Sequence, residues 1–246
     1  MSPLAISVVI FICVFGGAMA GMSLRSRLPE PHRSAETRDV VKLGMGLVAT
    51  MSALLLGLLI SSAKSSYDTQ KTELTQVTAR LVFLDHVLAH YGPETKEIRT
   101  LVRKASFHLV SQLWPSTPSA PAVGDPGVIF DQIQALSPRD EAHRLLQAQA
   151  LTLAIELGQT RGLMIEQQGS SVSTALLGVV VFWLAIIFVS FGMFAPANAT
   201  VRTALLVCAL SVSCAIFLIL EMDRPFEGLL QIPSDQMRQT FSHLGE

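Results

Sequence analysis

Four stretches of the chain stay apolar for long enough to cross a bilayer, and they come in two pairs. Leu4 to Leu24, Leu43 to Ala63, Val172 to Ala195 and Thr200 to Leu220 contain no Asp, Glu or Lys. At about 1.5 Å of rise per residue, about twenty helical residues span a hydrocarbon core of about 30 Å, so each run predicts a transmembrane helix. Between the second and third runs the pattern turns polar and helical. The fold expected is all-α: a polytopic membrane protein with four transmembrane helices and a helical bundle inserted between the second and third. The boundaries read as 1–63 for the first helix pair, 64–171 for an extramembrane bundle with a Pro-rich loop at 114–127, 172–220 for the second pair, and 221–246 for an amphipathic or loop tail. Met1-Ser2-Pro3 lacks the basic residues that open a signal peptide, and the apolar run exceeds a signal core, so the first run reads as a retained span.

Beyond the second run, Leu74, Val77, Leu81, Leu84, Leu88 and Tyr91 recur at steps of three and four. That is the seam of a helix packed against partner helices, and it predicts that the second span continues as one helix to Tyr91. Gly92-Pro93 ends it and opens another helix with Ile98, Leu101, Val102, Ala105 and Leu109 inward. The prolines from Pro115 to Pro126 predict a loop, and Val128 to Leu136 a short helical segment. Ser137-Pro138-Arg139-Asp140 reads as N-cap, first-turn proline and acidic N3. The following helix should run on into the third span, so that two long helices rise from spans two and three. Its Gly158, Gly162 and Gly169 lie near one stripe, where a neighbouring helix is expected to approach closely.

Charge changes this picture little. Of 246 residues 15% are charged and the net charge is -1, which leaves no basic footprint for nucleic acid. Arg25, Arg27, Arg33, Arg38 and Lys42 crowd the first connection, while Pro196 to Ala199 carries no charge. The positive-inside bias puts that first connection in the cytoplasm, with both termini and the bundle outside; Lys64, Lys71 and Arg224 weigh the other way. Cys13, Cys208 and Cys214 fall within the spans without metal-ligand spacing and are expected as small buried apolar residues.

Candidate chemistry gathers at the spans and their ends. Gly17 and Gly21 form a GxxxG pair, and Ala49, Ala53, Gly57, Ser61 and Ser65 an i+4 row; small rows let helices approach within a chain or between copies of it. Thr50, Ser61, Ser62, Lys64 and Ser65 are candidates for pore-lining or ion contact, with hydroxyls replacing hydration and Lys64 supplying positive potential. The same residues also suit back-bonded hydroxyls and a snorkelling lysine, and Tyr67 suits the interfacial belt. With Tyr67 and Asp68, the segment Glu221, Asp223, Arg224, Pro225 and Phe226 forms a membrane-edge motif, in which Glu221 borders hydrocarbon and needs a partner or water. Enzyme signatures are missing. His86, His90, His108 and His143 make no HExxH, and no nucleophile elbow or phosphate loop occurs, so no catalytic residue, metal or cofactor is expected.

Three segments carry a resemblance: Ser61-Ser62-Ala63-Lys64-Ser65-Ser66-Tyr67-Asp68, Leu84-Asp85 with His90-Tyr91-Gly92-Pro93-Glu94, and Leu220-Glu221-Met222-Asp223-Arg224-Pro225-Phe226-Glu227-Gly228. Together they resemble the bacterial membrane family described as a bestrophin-like domain of unknown function, over nearly the whole chain. That family is in turn distantly similar to the bestrophins, pentameric anion channels. The resemblance implies a homo-oligomer, a pentamer in form, in the bilayer of the bacterial inner membrane, passing an anion such as chloride. Arg224 stands at the asparagine-like position of the bestrophin Asn-Pro-Phe-Gly segment and Glu227 intervenes before Gly228. The calcium-binding acidic cluster of animal bestrophins has no clear counterpart. Bestrophins also keep termini and central helices in the cytoplasm, opposite to the charge count. The function expected is an oligomeric, anion-conducting channel or channel-like protein. The alternative is a non-conducting, membrane-anchored sensor or scaffold whose bundle binds a ligand or protein partner.

Overall fold

A computed structural model describes residues 2–25, 35–114, 126–166, 172–196 and 198–245. Its described residues form helices joined by turns, with no strand among them: α1 (Pro3–Arg25), α2 (Ala35–Tyr91), a 3-10 turn (Pro93–Thr95), α3 (Lys96–Leu113), α4 (Pro126–Gln134), α5 (Glu141–Glu166), α6 (Thr174–Phe194), α7 (Ala199–Met222) and α8 (Asp235–Ser242). Four of these, α1, α2, α6 and α7, are long and apolar enough to cross a membrane. Of the loop expected at 114–127, residues 115–125 lie outside the described residues and Pro126-Gly127 open α4 instead; of the first connection, residues 26–34 lie outside them and α2 already begins at Ala35. The chain divides into two compact units, Met1–Ser66 with Ser170–Asp223 and Tyr67–Gly169 with Arg224–Glu246.

The first unit is built on α1, which packs against both α6 and α7. Val14, Ala18, Val180, Ala209 and Ile216 are fully buried there, joined by Leu59 and Ala63 of α2. Glycine sets the α1–α6 distance. A Cβ on Gly21 would meet the Val189 carbonyl oxygen at 2.1 Å, and one on Gly192 the Ala18 carbonyl oxygen at 2.0 Å, so backbone lies on backbone. Gly17 faces Ala185 and Val189, Gly21 faces Val189 and Met193, and Arg25 donates to the Ala195 carbonyl. Positions rise together along both helices, which makes α1 and α6 parallel. A chain that crosses a membrane at each of four helices runs its first and third in one direction, and this pair does so.

The second unit closes around the seam of α2. Leu74, Val77, Leu81, Leu84 and Leu88 share a core with Ile98, Val102 and Leu109 of α3, Ile133 of α4 and Ala150 of α5. The tail at 221–246 holds the amphipathic α8, whose Met237 and Phe241 enter the same core. At the end of α2, Gly92 takes φ +133°, a conformation that other residues resist. The buried Thr95 hydroxyl donates between the Leu88 carbonyl at 2.6 Å and the Gly92 carbonyl at 2.8 Å, satisfying groups the helix terminus leaves open. Thr95→Val keeps the shape and removes the donor, and should lower stability by about 1–3 kcal/mol in chemical denaturation.

Several expectations are corrected here. The N-cap of α5 is Asp140, not Ser137: its Oδ1 accepts from the His143 amide at 2.8 Å, three residues on. That bond, and then the His143 ring, hold the Asp140 carboxyl below its ordinary value of 3.8. α5 does not continue as one helix into the third span, because Ser173, immediately before α6, is extended. Gly158 and Gly162 are not close-approach points, since a Cβ on either meets nothing within 4 Å; Gly169 lies outside the described residues. The three cysteines are exposed rather than buried, as fits side chains on the outer face of membrane helices.

Candidate functional site

The membrane half of α2 has one face turned into its unit. Ser52, Leu59 and Ala63 are buried, with Leu55 and Leu56 partly so. At about 100° per residue, Thr50, Gly57, Ser61 and Lys64 fall on the opposite side. All four are exposed, as are Ala49, Ala53, Ser62 and Ser65. A Cβ on Gly57 meets nothing within 4 Å. Leu43, Leu47, Leu54 and Leu58 are exposed beside them, each by more than 60%. Of the two small-residue rows, Gly17 and Gly21 are therefore spent on α6, whereas every member of the row on α2 is exposed. Thr50 donates its hydroxyl to the Gly46 carbonyl at 2.9 Å and keeps its oxygen lone pairs outward.

The membrane-edge motif is spread over both units. In the first, Glu221 is only 4% exposed, and the Asp223 carboxylate accepts from the Val172 amide at 3.1 Å. That bond fixes the end of α7 beside the start of the α6 segment. In the second unit, Phe226 meets the Trp114 ring edge-on with centroids 5.1 Å apart. The Pro225 carbonyl accepts from the Ile232 amide at 2.7 Å, and the Ile232 carbonyl accepts from the Trp114 indole at 2.9 Å. Arg224 is exposed and pairs with Glu227 at 3.7 Å. Tyr67 packs partly buried on the bundle core, and Asp68 is exposed with its backbone carbonyl accepting from Thr72.

Some groups carry weight that the sequence pattern did not announce. Trp114 is one, since its indole ties the Pro-Phe turn to the end of α3. Asp85 is another: both its oxygens take Arg99 at 2.8 Å in a two-pronged pair, and Oδ2 also accepts from the Gly245 amide at 3.3 Å. The bond to Asp85 raises the already high pKa of Arg99. Tyr91, its phenol pushed up by burial and then by the charge of Glu94, meets the His143 ring edge-on at 5.0 Å. Among the described residues no three His, Cys, Asp or Glu side chains come together to hold a metal.

Four membrane-spanning helices with a helical bundle inserted between the second and third define the class: a four-span, all-α membrane protein. The profile of the Bestrophin-like domain matches residues 12–237, and the chain belongs to that bestrophin-like family. Among solved structures it is similar to a bacterial bestrophin homologue from Klebsiella pneumoniae, seen in two crystal structures. One matches with a TM-score of 0.67 at 13% identity, the other, a point variant, with 0.66 at 14%, each over 95% of both chains. Among curated proteins no sequence matches it significantly.

Proposed function

We propose that this chain is one subunit of a homo-oligomeric channel, a pentamer, in the bacterial inner membrane, conducting a small anion such as chloride. The observation that supports this reading is the exposed stripe of α2. A helix that leaves several hydroxyls, small residues and one cation exposed, away from the buried Ser52, Leu59 and Ala63, is suited to face copies of itself around an aqueous path. Thr50, Ser61, Ser62 and Ser65 supply hydroxyls in place of water. Ala49, Ala53 and Gly57 keep the path open, and Lys64 at its end concentrates anions. Membership of the family and the similarity of fold to a bestrophin homologue favour the same reading.

Purified protein reconstituted in liposomes should show chloride flux as a defined oligomer. Lys64→Glu, at an exposed position, should leave the fold intact and cut anion flux by roughly tenfold or lose its preference over cations. Unchanged flux and selectivity would remove Lys64 from the pathway, and no flux from a correctly assembled oligomer would overturn the channel. A silent monomer would favour the sensor reading, for which the specific support is an apolar cavity of about 90 Å³ in the bundle, lined by Val77, Leu84, Leu109 and Leu157 among others.

A further inference from the structure

The turn that follows α7 holds apolar side chains outward on a braced base. Pro225, Phe226 and Ile232 are buried, and the Ile232 amide donates to the Pro225 carbonyl at 2.7 Å, which closes the loop. The Trp114 indole grips that base by donating to the Ile232 carbonyl. Between the two ends, the Glu227 amide donates to the Arg224 carbonyl at 3.1 Å, and Gly228 takes φ +80°, a left-handed conformation that suits glycine. The tip, 227–231, is exposed throughout, with Leu229 78% exposed and Leu230 39%. No large apolar side chain among the described residues is more exposed than Leu229, and its equal, Leu43, belongs to the apolar run of α2.

Scattered single leucines on a surface are ordinary. Two in succession at the tip of a braced turn call for an apolar phase, and chain geometry names it. Leu229 follows Met222, the last residue of α7, by seven residues, a tether of at most about 25 Å at about 3.5 Å per residue. The bilayer that α7 is long and apolar enough to cross is therefore within reach. A protein partner fits less well, because two leucines fall far short of the about 800 Å² that each side of a specific interface buries, whereas lipid takes in a side chain without a complementary surface. The one charge on the tip, Glu227, pairs with Arg224 at 3.7 Å, which eases its approach to an apolar boundary.

We propose that the turn from Pro225 to Ile232 is a membrane anchor, with Leu229 and Leu230 inserted at the boundary of headgroups and acyl chains, a layer that takes apolar faces to a depth of about 5–10 Å. The turn is already formed, so insertion has little chain to order. The anchor rests on α7 as a span and is independent of conduction.

The test places the full chain carrying Leu229→Trp in phosphatidylcholine liposomes, with and without acyl chains brominated close to the headgroup, which quench tryptophan on contact. Wild-type emission, from Trp114 and Trp183, is subtracted. Ala89→Trp is the control: position 89 is exposed, about 33 Å along α2 from Tyr67 at about 1.5 Å of rise per residue. Leu229→Trp should melt with the wild type, emit to the blue of Ala89→Trp and lose much of that emission to bromine, while Ala89→Trp loses none. Should Leu229→Trp fail to fold, Leu230→Trp takes its place with the same expected result. Red-shifted emission untouched by bromine would put the turn in water, and blue-shifted emission untouched by bromine would put it against protein, a second copy of the chain included; either result overturns the anchor.

Discussion

Gly21→Leu and Gly192→Leu are each expected to unfold the first unit in detergent, and the two alanine variants to damage it severely. At both positions the nearest atom to a new Cβ is a backbone oxygen, 2.1 Å away for Gly21 and 2.0 Å for Gly192. A side chain in the way can turn aside; a carbonyl in the middle of a helix cannot, so α1 and α6 must separate. In lipid no hydrophobic drive holds two helices together, and their association rests on close packing. Ordinary overpacking costs about 1–3 kcal/mol, and here the cost should exceed that range, because the whole contact opens rather than one side chain. Gly16→Ala is the internal control: it lies on the same helix, and its Cβ meets nothing within 4 Å. It should be neutral, or stabilising by up to about 1 kcal/mol from helix propensity. Thermal unfolding and monodispersity in one detergent give the comparison. Gly21→Ala and Gly192→Ala melting with Gly16→Ala would mean that the helices do not meet as described.

Much of this arrangement is legible in the sequence because its signals are long and periodic. The four apolar runs and the seam from Leu74 to Tyr91 depend on many residues each, so no single one decides them. Where one residue decides, the reading fails in an instructive way. Gly17 and Gly21 announce themselves by spacing, but Gly192, which lets α6 come as close as α1 does, has no small partner four residues away. Ser137 and Asp140 are both good N-caps; local chemistry does not choose between them, and the helix starts where Asp140 reaches the His143 amide. A row of small residues looks the same whether a helix lies against it, as at Gly21, or space does, as at Gly57 and Gly158. The cysteine expectation came from water-soluble interiors, where apolar residues hide. In a membrane the outside of the helix is also apolar.

Asp85→Ala should be the most damaging single change in the second unit outside its apolar core. The Asp85 side chain is 6% exposed and that of Arg99 16%, and two N–H···O bonds of 2.8 Å join them. Removing the acid strands a guanidinium that water reaches only in part and leaves the Gly245 amide without its acceptor. Breaking a buried pair in this way costs about 3–5 kcal/mol, and partial access of water to Arg99 places the expected loss near about 3 kcal/mol. The Coulombic worth of the pair is a separate quantity, since desolvation offsets much of it. A double variant that removes both charges, Asp85→Leu with Arg99→Met, should therefore recover a large part of the loss. Asp85→Leu alone and Arg99→Met alone should each melt well below both the wild type and the double. Chemical denaturation of the four proteins closes the cycle, and a coupling above about 1 kcal/mol is expected for groups in direct contact. Additive losses within about 0.5 kcal/mol would show that Asp85 acts through something other than Arg99. The remaining candidate would then be the Gly245 amide, the one other group bonded to this carboxylate among the described residues, and through it the docking of the segment after α8.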